Sequence, residues 1–249
     1  MSYNPFSLEG KTILVTGASS GIGKETAISC SRMGARVIIT ARNEERLRDT
    51  YSQLEGEGHS WFLADLTKED ELASLVNRID KIDGLALCAG RAFTLPVLFS
   101  SRDHFDDIFE VNLFSPVELL RLLAKNKHFN QNSSVVVIVS IGGTERWSPG
   151  NAVYGASKAA LNSLIHFFAI ELAPKKIRVN GISPGMVETP LIHGGAITQE
   201  QLDKNRENYP LKRYGQPVDI ANGVVYLLSD AASWITGQSI IIDGGLTAK

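Results

Sequence analysis

Short apolar runs recur along this chain, and longer amphipathic stretches separate them. The runs fall at 12–17 (TILVTG), 36–41 (RVIITA), 60–65 (SWFLAD), 84–90 (GLALCAG), 133–140 (SSVVVIVS), 177–182 (IRVNGI) and 238–243 (QSIIID). Most are apolar at consecutive positions, so both faces of each strand need cover. The spacing between them predicts helices over 22–33, 43–54, from Thr67 onward, 103–125, 152–173 and 217–229. Thr67 is the expected cap of the third helix, with Glu69 and Asp70 in its first turn. Strands alternating with helices through right-handed crossovers make a doubly wound sheet. The expected fold is therefore α/β: a single-domain, Rossmann-like, doubly wound parallel sheet of about seven strands with helices on both faces. No linker, repeat or low-complexity tract divides residues 1–249, so one domain is expected.

Lys and Arg total 25 against 27 Asp and Glu, so no overall field favours nucleic acid or an anionic membrane. No apolar run approaches the roughly 20 residues of a membrane span. The start, MSYNPFSLEGK, lacks a basic and then apolar leader, and the expected compartment is the cytoplasm. His59, His104, His128, His166 and His193 are scattered, and Cys30 and Cys88 lie in apolar settings. No metal site and no disulfide is expected from them.

The first strand runs into Thr16-Gly17-Ala18-Ser19-Ser20-Gly21-Ile22-Gly23. Glycines suit a tight turn where a ligand meets bare backbone. The helix that follows offers free N–H groups and a positive dipole end to a pyrophosphate. Gly23 would let that helix approach the sheet closely. A dinucleotide site usually has a carboxylate at the end of the second strand, for the ribose 2′-OH. Here Arg42 stands there instead and would pair with a 2′-phosphate, which favours NADP(H), although Glu44 and Glu45 nearby keep NAD(H) open. Asp65, at the end of the third strand, would either bond the adenine edge or cap the following helix.

Tyr154 and Lys158 are four residues apart in a predicted helix and so share a face. A neighbouring ammonium lowers a phenol's pKa, which would suit Tyr154 to exchange a proton with a carbonyl or alcohol oxygen. Ser140 ends the fifth strand, at the edge of the sheet where ligands sit, and would donate to the same oxygen.

Together TGASSGIG (16–23), DLT (65–67), AG (89–90), VNL (111–113), Ser140, YGASK (154–158), PGMVET (184–189) and IDGG (242–245) resemble the short-chain dehydrogenase/reductase family over essentially the whole chain. The resemblance implies an oxidoreductase that interconverts a ketone and a secondary alcohol. It makes Tyr154 the acid/base, and gives Lys158 a second role on the nicotinamide ribose. Ser140 would orient the substrate oxygen, and Asn112 would hold a water that relays protons to Lys158. It also implies that Gly17, Ser19, Ser20, Gly21, Ile22, Gly23, Asp65, Leu66, Ala89 and Gly90 line the cofactor. Val187 and Thr189 would meet the carboxamide, and Pro184-Gly185 would shape the loop under the ring. The family usually has NNAG where this chain has Leu87-Cys88-Ala89-Gly90, so the asparagine bonds there are lost or replaced.

Length and layout further resemble the 3-oxoacyl-acyl-carrier-protein reductases, which implies an acyl-thioester substrate. Lys175, Lys176 and Arg178 would face an acidic carrier protein, or be simply solvated. A sugar, steroid or other small secondary alcohol is the alternative substrate. A nucleotide-binding sensor or scaffold is the non-enzymatic reading, against which the intact Ser/Tyr/Lys set argues. The 141–153 loop, with Glu145, Arg146 and Trp147, is placed to line the substrate mouth. The 190–215 stretch, with Gly194, Gly195, Tyr209 and Pro210, reads as a lid. The helices at 103–125 and 152–173 are apolar around most of their circumference, so a second burial partner is expected; family resemblance makes it a homotetramer.

Overall fold

The computed structural model describes residues 3–193 and 198–248. Seven strands form one sheet: β1 (Thr12–Thr16), β2 (Arg36–Ala41), β3 (Ser60–Leu63), β4 (Ile82–Leu87), β5 (Phe129–Ile138), β6 (Arg178–Pro184) and β7 (Ser239–Ile242). Their order is β3-β2-β1-β4-β5-β6-β7, and every pairing is parallel. The helices are α1 (Gly21–Arg32), α2 (Glu44–Tyr51), α3 (Glu69–Arg78), α4 (Arg102–Phe109), α5 (Ser115–Lys125), α6 (Ala152–Leu172), α7 (Pro190–His193), α8 (Gln199–Arg206) and α9 (Pro217–Leu228). The expected single-domain doubly wound sheet is what the chain forms.

Alternate residues of each strand feed opposite layers. Leu14, Leu85, Val135 and Val179 face one layer, where Leu75 of α3, Leu119 of α5 and Leu161 of α6 cover them. Ile13, Val37, Ala86 and Val136 face the other, under Ala27 of α1, Leu47 of α2 and Val224 of α9. Each buried Leu or Ile contributes about 1.5–3 kcal/mol by leaving water. These two layers set where the strand ends, and hence the loops beyond them, must lie.

Three local expectations need correction. Thr67 does not cap α3: Lys68 holds the N-cap position and makes no side-chain cap bond. Thr67 is instead committed to Asp65, whose Oδ1 accepts from its N–H (3.1 Å) and its hydroxyl (2.8 Å). Second, the 103–125 segment is not one helix. Between α4 and α5, residues Glu110–Phe114 form a π turn, and the Ser115 N–H reaches back five residues to the Glu110 carbonyl. Pro116 explains the break, because it has no N–H for the carbonyl four residues before it, that of Asn112. Third, β5 stops at Ile138, so Ser140 lies two residues past the strand rather than at its end.

Beyond β5 the chain folds into a tight loop against the start of α6. Gly143 has φ +93°, and a Cβ there would sit 2.1 Å from the Gly155 carbonyl oxygen. Neither backbone has room to yield. Gly143→Ala therefore combines a left-handed strain of about 1–3 kcal/mol with a steric clash. Gly10 also has a positive φ (+76°) but has nothing within 4 Å of a built Cβ. Thermal melts should show Gly143→Ala losing several degrees more than Gly10→Ala; equal losses would mean that the contact with α6 carries no stability.

Candidate active site

The strand order reverses between β1 and β4, which opens a crevice at their carboxyl ends. The two loops there touch. Gly17 has φ +65°, and a Cβ on it would come within 2.8 Å of the Ala89 Cα. Thr16 Oγ1 accepts the N–H groups of Cys88 (3.1 Å) and Ala89 (3.2 Å), so the β4 end is held without the usual asparagines. Sequence reading placed Thr16 only as part of the turn; its clamping role depends on the β1–β4 pairing. Cys88 itself is an unreactive thiol, which burial pushes up to about 12 against the opposing pull of Thr26 and Lys158.

Gly23 lies under the same turn, where a Cβ would stand 2.3 Å from the Gly17 carbonyl oxygen. Ser19, Ser20 and Ile22 are half-buried around it, and Ile22 packs on the core. The first turn of α1 has no carboxylate, and Ser20 makes no side-chain cap bond. By contrast α2 is capped by Asn43 and begins Glu44-Glu45, while α3 begins Glu69-Asp70-Glu71. The α1 start is thus left bare and positive, a fit for an anion. Across the crevice, Thr189 Cγ2 would lie 3.1 Å from a Cβ on Gly21, so any larger residue at 21 would close the passage.

Arg42 projects beyond β2 and is 61% exposed, with its guanidinium only loosely paired, 3.9 Å from Asp65 Oδ2. Glu44 is turned away onto Arg48 (2.8 Å). Partial burial pushes Asp65 up, but its Thr67 hydrogen bonds and the Arg42 and Lys68 charges outweigh that and hold it below the ordinary carboxylate value. Leu66 packs against the core beside it.

Ser140, Tyr154, Lys158 and Asn112 converge at the edge of β4 and β5. The Gly142 N–H donates to Ser140 Oγ (3.0 Å), which fixes that hydroxyl. Tyr154 is half-buried, and burial pushes its phenol up from the ordinary value while a hydrogen bond from Ser140 pulls it down. The net direction is up, which corrects the expected lowering by Lys158. Burial is the larger cause, and the Lys158 ammonium donates to the Ile138 carbonyl (2.9 Å). Burial brings Lys158 down to about 8, with Cys88 opposing.

Asn112 is fully buried at the π turn. Its Oδ1 accepts the Arg91 N–H (2.8 Å), and its Nδ2 donates to the Arg91 carbonyl (3.0 Å) and Ser157 Oγ (3.1 Å). Ser157 in turn donates to the Tyr154 carbonyl (2.7 Å). Asn112 therefore ties the loop after β4 to the first turn of α6, a structural duty that sequence reading did not find. Gly90 lies between them: a Cβ there would come within 3.3 Å of both Asn112 Oδ1 and Lys158 Nζ.

Pro184 ends β6, and Gly185 follows it against Asp243, 3.1 Å from a built Cβ. Val187 pairs with Gly215, so the chain from 188 to 214 leaves and returns at one point. Tyr209 and Tyr214 bury their rings edge to face (5.3 Å) at the foot of this excursion. The Tyr209 hydroxyl accepts the Met186 N–H (2.9 Å). Gly194 and Gly195 of the expected lid lie outside the described residues.

The basic cluster lies beyond the end of α6 opposite Tyr154. The Arg178 guanidinium is spent on the carbonyls of Leu227, Ser229 and Ile235. Lys175 and Lys176 follow the far end of α6, about 30 Å of helix from Tyr154.

Residues 17–247 match the family described as enoyl-(acyl carrier protein) reductase. The 7alpha-hydroxysteroid dehydrogenase of Escherichia coli (strain K12) is 35% identical over 96% of this chain and 94% of its own. The 3-oxoacyl-(acyl-carrier-protein) reductase FabG of Rickettsia bellii is 34% identical over 96% of this chain and 98% of its own. A solved short chain dehydrogenase/reductase family protein superposes with a TM-score of 0.86 at 34% identity, covering 98% of this chain and 100% of that one. With the crevice, the glycine turn and the Ser/Tyr/Lys grouping in one continuous domain, the chain belongs to the short-chain dehydrogenase/reductase family, oxidoreductases that act on CH–OH groups.

Proposed function

We propose that the protein reduces a ketone to a secondary alcohol with NADPH, and that the ketone is a 3-oxoacyl thioester or a similarly apolar molecule. One observation carries the reading: Ser140 Oγ and the Tyr154 ring both close on Gly142, 3.3 Å and 3.8 Å from a Cβ built there, beside a buried Lys158. Two donors aimed together suit a single oxygen on which negative charge builds. The raised phenol keeps its proton at neutral pH, as an acid for reduction requires. NADPH, when bound, supplies the hydride.

The cofactor's holders are this chain's own residues. Gly17, Ser19, Ser20, Gly21, Ile22 and Gly23 at the bare α1 start take the pyrophosphate. Asp65, Leu66, Ala89 and Gly90 flank the adenosine half, and Arg42 takes a 2′-phosphate, so NADP(H) is preferred and NAD(H) is the weaker partner. Pro184, Gly185, Val187 and Thr189 shape the nicotinamide end. Tyr154 gives its proton to the carbonyl oxygen and Ser140 holds that oxygen. Lys158, charged at neutral pH, favours the phenolate left behind and binds the ribose. Asn112 holds the relay beside Lys158 in place. The 190–215 excursion acts as the substrate lid.

The mouth favours an apolar substrate over a sugar. Leu98 and Phe99 are 90% and 72% exposed on the loop after β4, and Trp147 is 76% exposed on the loop after β5. The Leu95 N–H bonds to the Gly150 carbonyl (2.8 Å), so these loops stand side by side just before α6. Two free thiols, Cys30 and Cys88, suit the reducing cytoplasm. Phe114, Phe167 and Ile170 are exposed around α5 and α6, which fits burial of this face in a homotetramer.

Three experiments test this. Tyr154→Phe should lower kcat by about 10²–10⁴ in an NADPH-absorbance assay with acetoacetyl thioesters, while NADPH binding by fluorescence persists. Arg42→Ala should raise KM for NADPH by roughly tenfold or more and leave KM for NADH nearly unchanged; an equal change in both would remove the 2′-phosphate assignment. Phe167→Glu with Ile170→Glu should yield a smaller species in light scattering if α6 lies in the subunit interface.

A further inference from the structure

Arg146 has no role in the proton chemistry and no carboxylate partner among the described residues. The other arginines around the mouth are engaged: Arg91 with Asp107 (3.0 Å), Arg206 with Glu188 (3.4 Å) and Arg213 with Asp219 (2.5 Å). Its backbone is nonetheless fixed close to the reacting groups. The Arg146 N–H donates to the Ile141 carbonyl (2.9 Å), and the Arg146 carbonyl accepts from Gly143 (3.0 Å), in the loop whose Gly142 positions Ser140. The guanidinium is exposed, and its charge is felt at the phenol of Tyr209. That tyrosine bonds Met186 and lies 3.3 Å from a built Cβ on Gly185. The Ile141 N–H in turn donates to the Pro184 carbonyl (3.2 Å), so the loop carrying Ser140 and Arg146 meets the end of β6 at one side of the proposed substrate opening. Trp147 beside it supplies apolar surface.

We propose that Arg146 reads an anion on the substrate: the preferred molecule is an apolar ketone that carries a carboxylate or phosphate away from the reacting carbon. The proposal rests on the ketone-reductase reading above and narrows its substrate class. A guanidinium at the rim of the opening makes charge-assisted, bidentate hydrogen bonds to such a group. The anion has two chemical sources, the carboxylate of a small keto acid or the phosphates of a thioester's carrier arm.

Matched pairs separate them. One pair is a long-chain keto acid and its methyl ester; the other is acetoacetyl-coenzyme A and neutral acetoacetyl-N-acetylcysteamine. The wild-type protein should favour the anionic member of at least one pair in kcat/KM by roughly ten- to hundredfold. Arg146→Gln should erase that ratio through KM rather than kcat, and Arg146→Lys should restore part of it. Preference in the first pair alone assigns a carboxylate; preference in the second alone assigns a phosphate. If the neutral members are reduced as well as the anionic ones, or if Arg146→Gln leaves the ratio intact, the inference is overturned while the reductase reading stands. If no member of either pair consumes NADPH, both fall.

Discussion

Gly143 rests on the carbonyl of Gly155, and this contact decides where Ser140 stands relative to Tyr154. One of these hydroxyls comes from beyond a strand and the other from the first turn of a helix, so nothing in the sheet register alone makes them meet. Backbone against backbone does it, because neither residue has a side chain to hold the segments apart. The crevice uses the same device, with Gly17 against Ala89 and Gly23 against Gly17. Asn112 adds a third tie, from the loop after β4 to the first turn of α6. Catalytic geometry here is thus set by close approaches that any larger side chain would undo.

The sheet and its two layers were legible because the pattern is strong: Ile13, Leu14 and Val15 are all apolar, and each needs cover on one face or the other. The glycine turn and the Tyr154/Lys158 pair were legible because their spacing has few other uses. The break between α4 and α5 was not, because one extra residue in a π turn leaves apolar positions on either side looking continuous from Phe105 to Leu123. Pro116 was the available signal. Arg178 shows a different limit. A basic cluster in sequence carries no information about which guanidinium turns inward to satisfy carbonyls at strand and helix ends.

The proton donor raises a subtler point. A cation four residues away along a helix argues for an acidic phenol, yet burial moves the phenol the other way. In the proposed reduction Tyr154 starts with its proton. That state is the right starting point for reducing a carbonyl, since the oxygen gains a proton as the carbon gains hydride.

Substrate choice lies on different elements from the chemistry. The proton-transfer residues stand at the ends of β5 and on α6, under the packed layers. The segments proposed to face the substrate are the excursions after β4, β5 and β6, whose anchors include Leu95 to Gly150, Gly143 to Gly155 and Val187 to Gly215. Changes at Leu98, Phe99, Arg146 or Trp147 leave those anchors untouched, so the mouth is free to vary while the reacting groups stay in register. Relatives of nearly equal identity to this chain bear the names of a steroid dehydrogenase and an acyl-carrier-protein reductase, which such a separation would allow. The whole-chain likeness carries the family's reaction, and in the proposed reading the residues of these excursions carry the substrate.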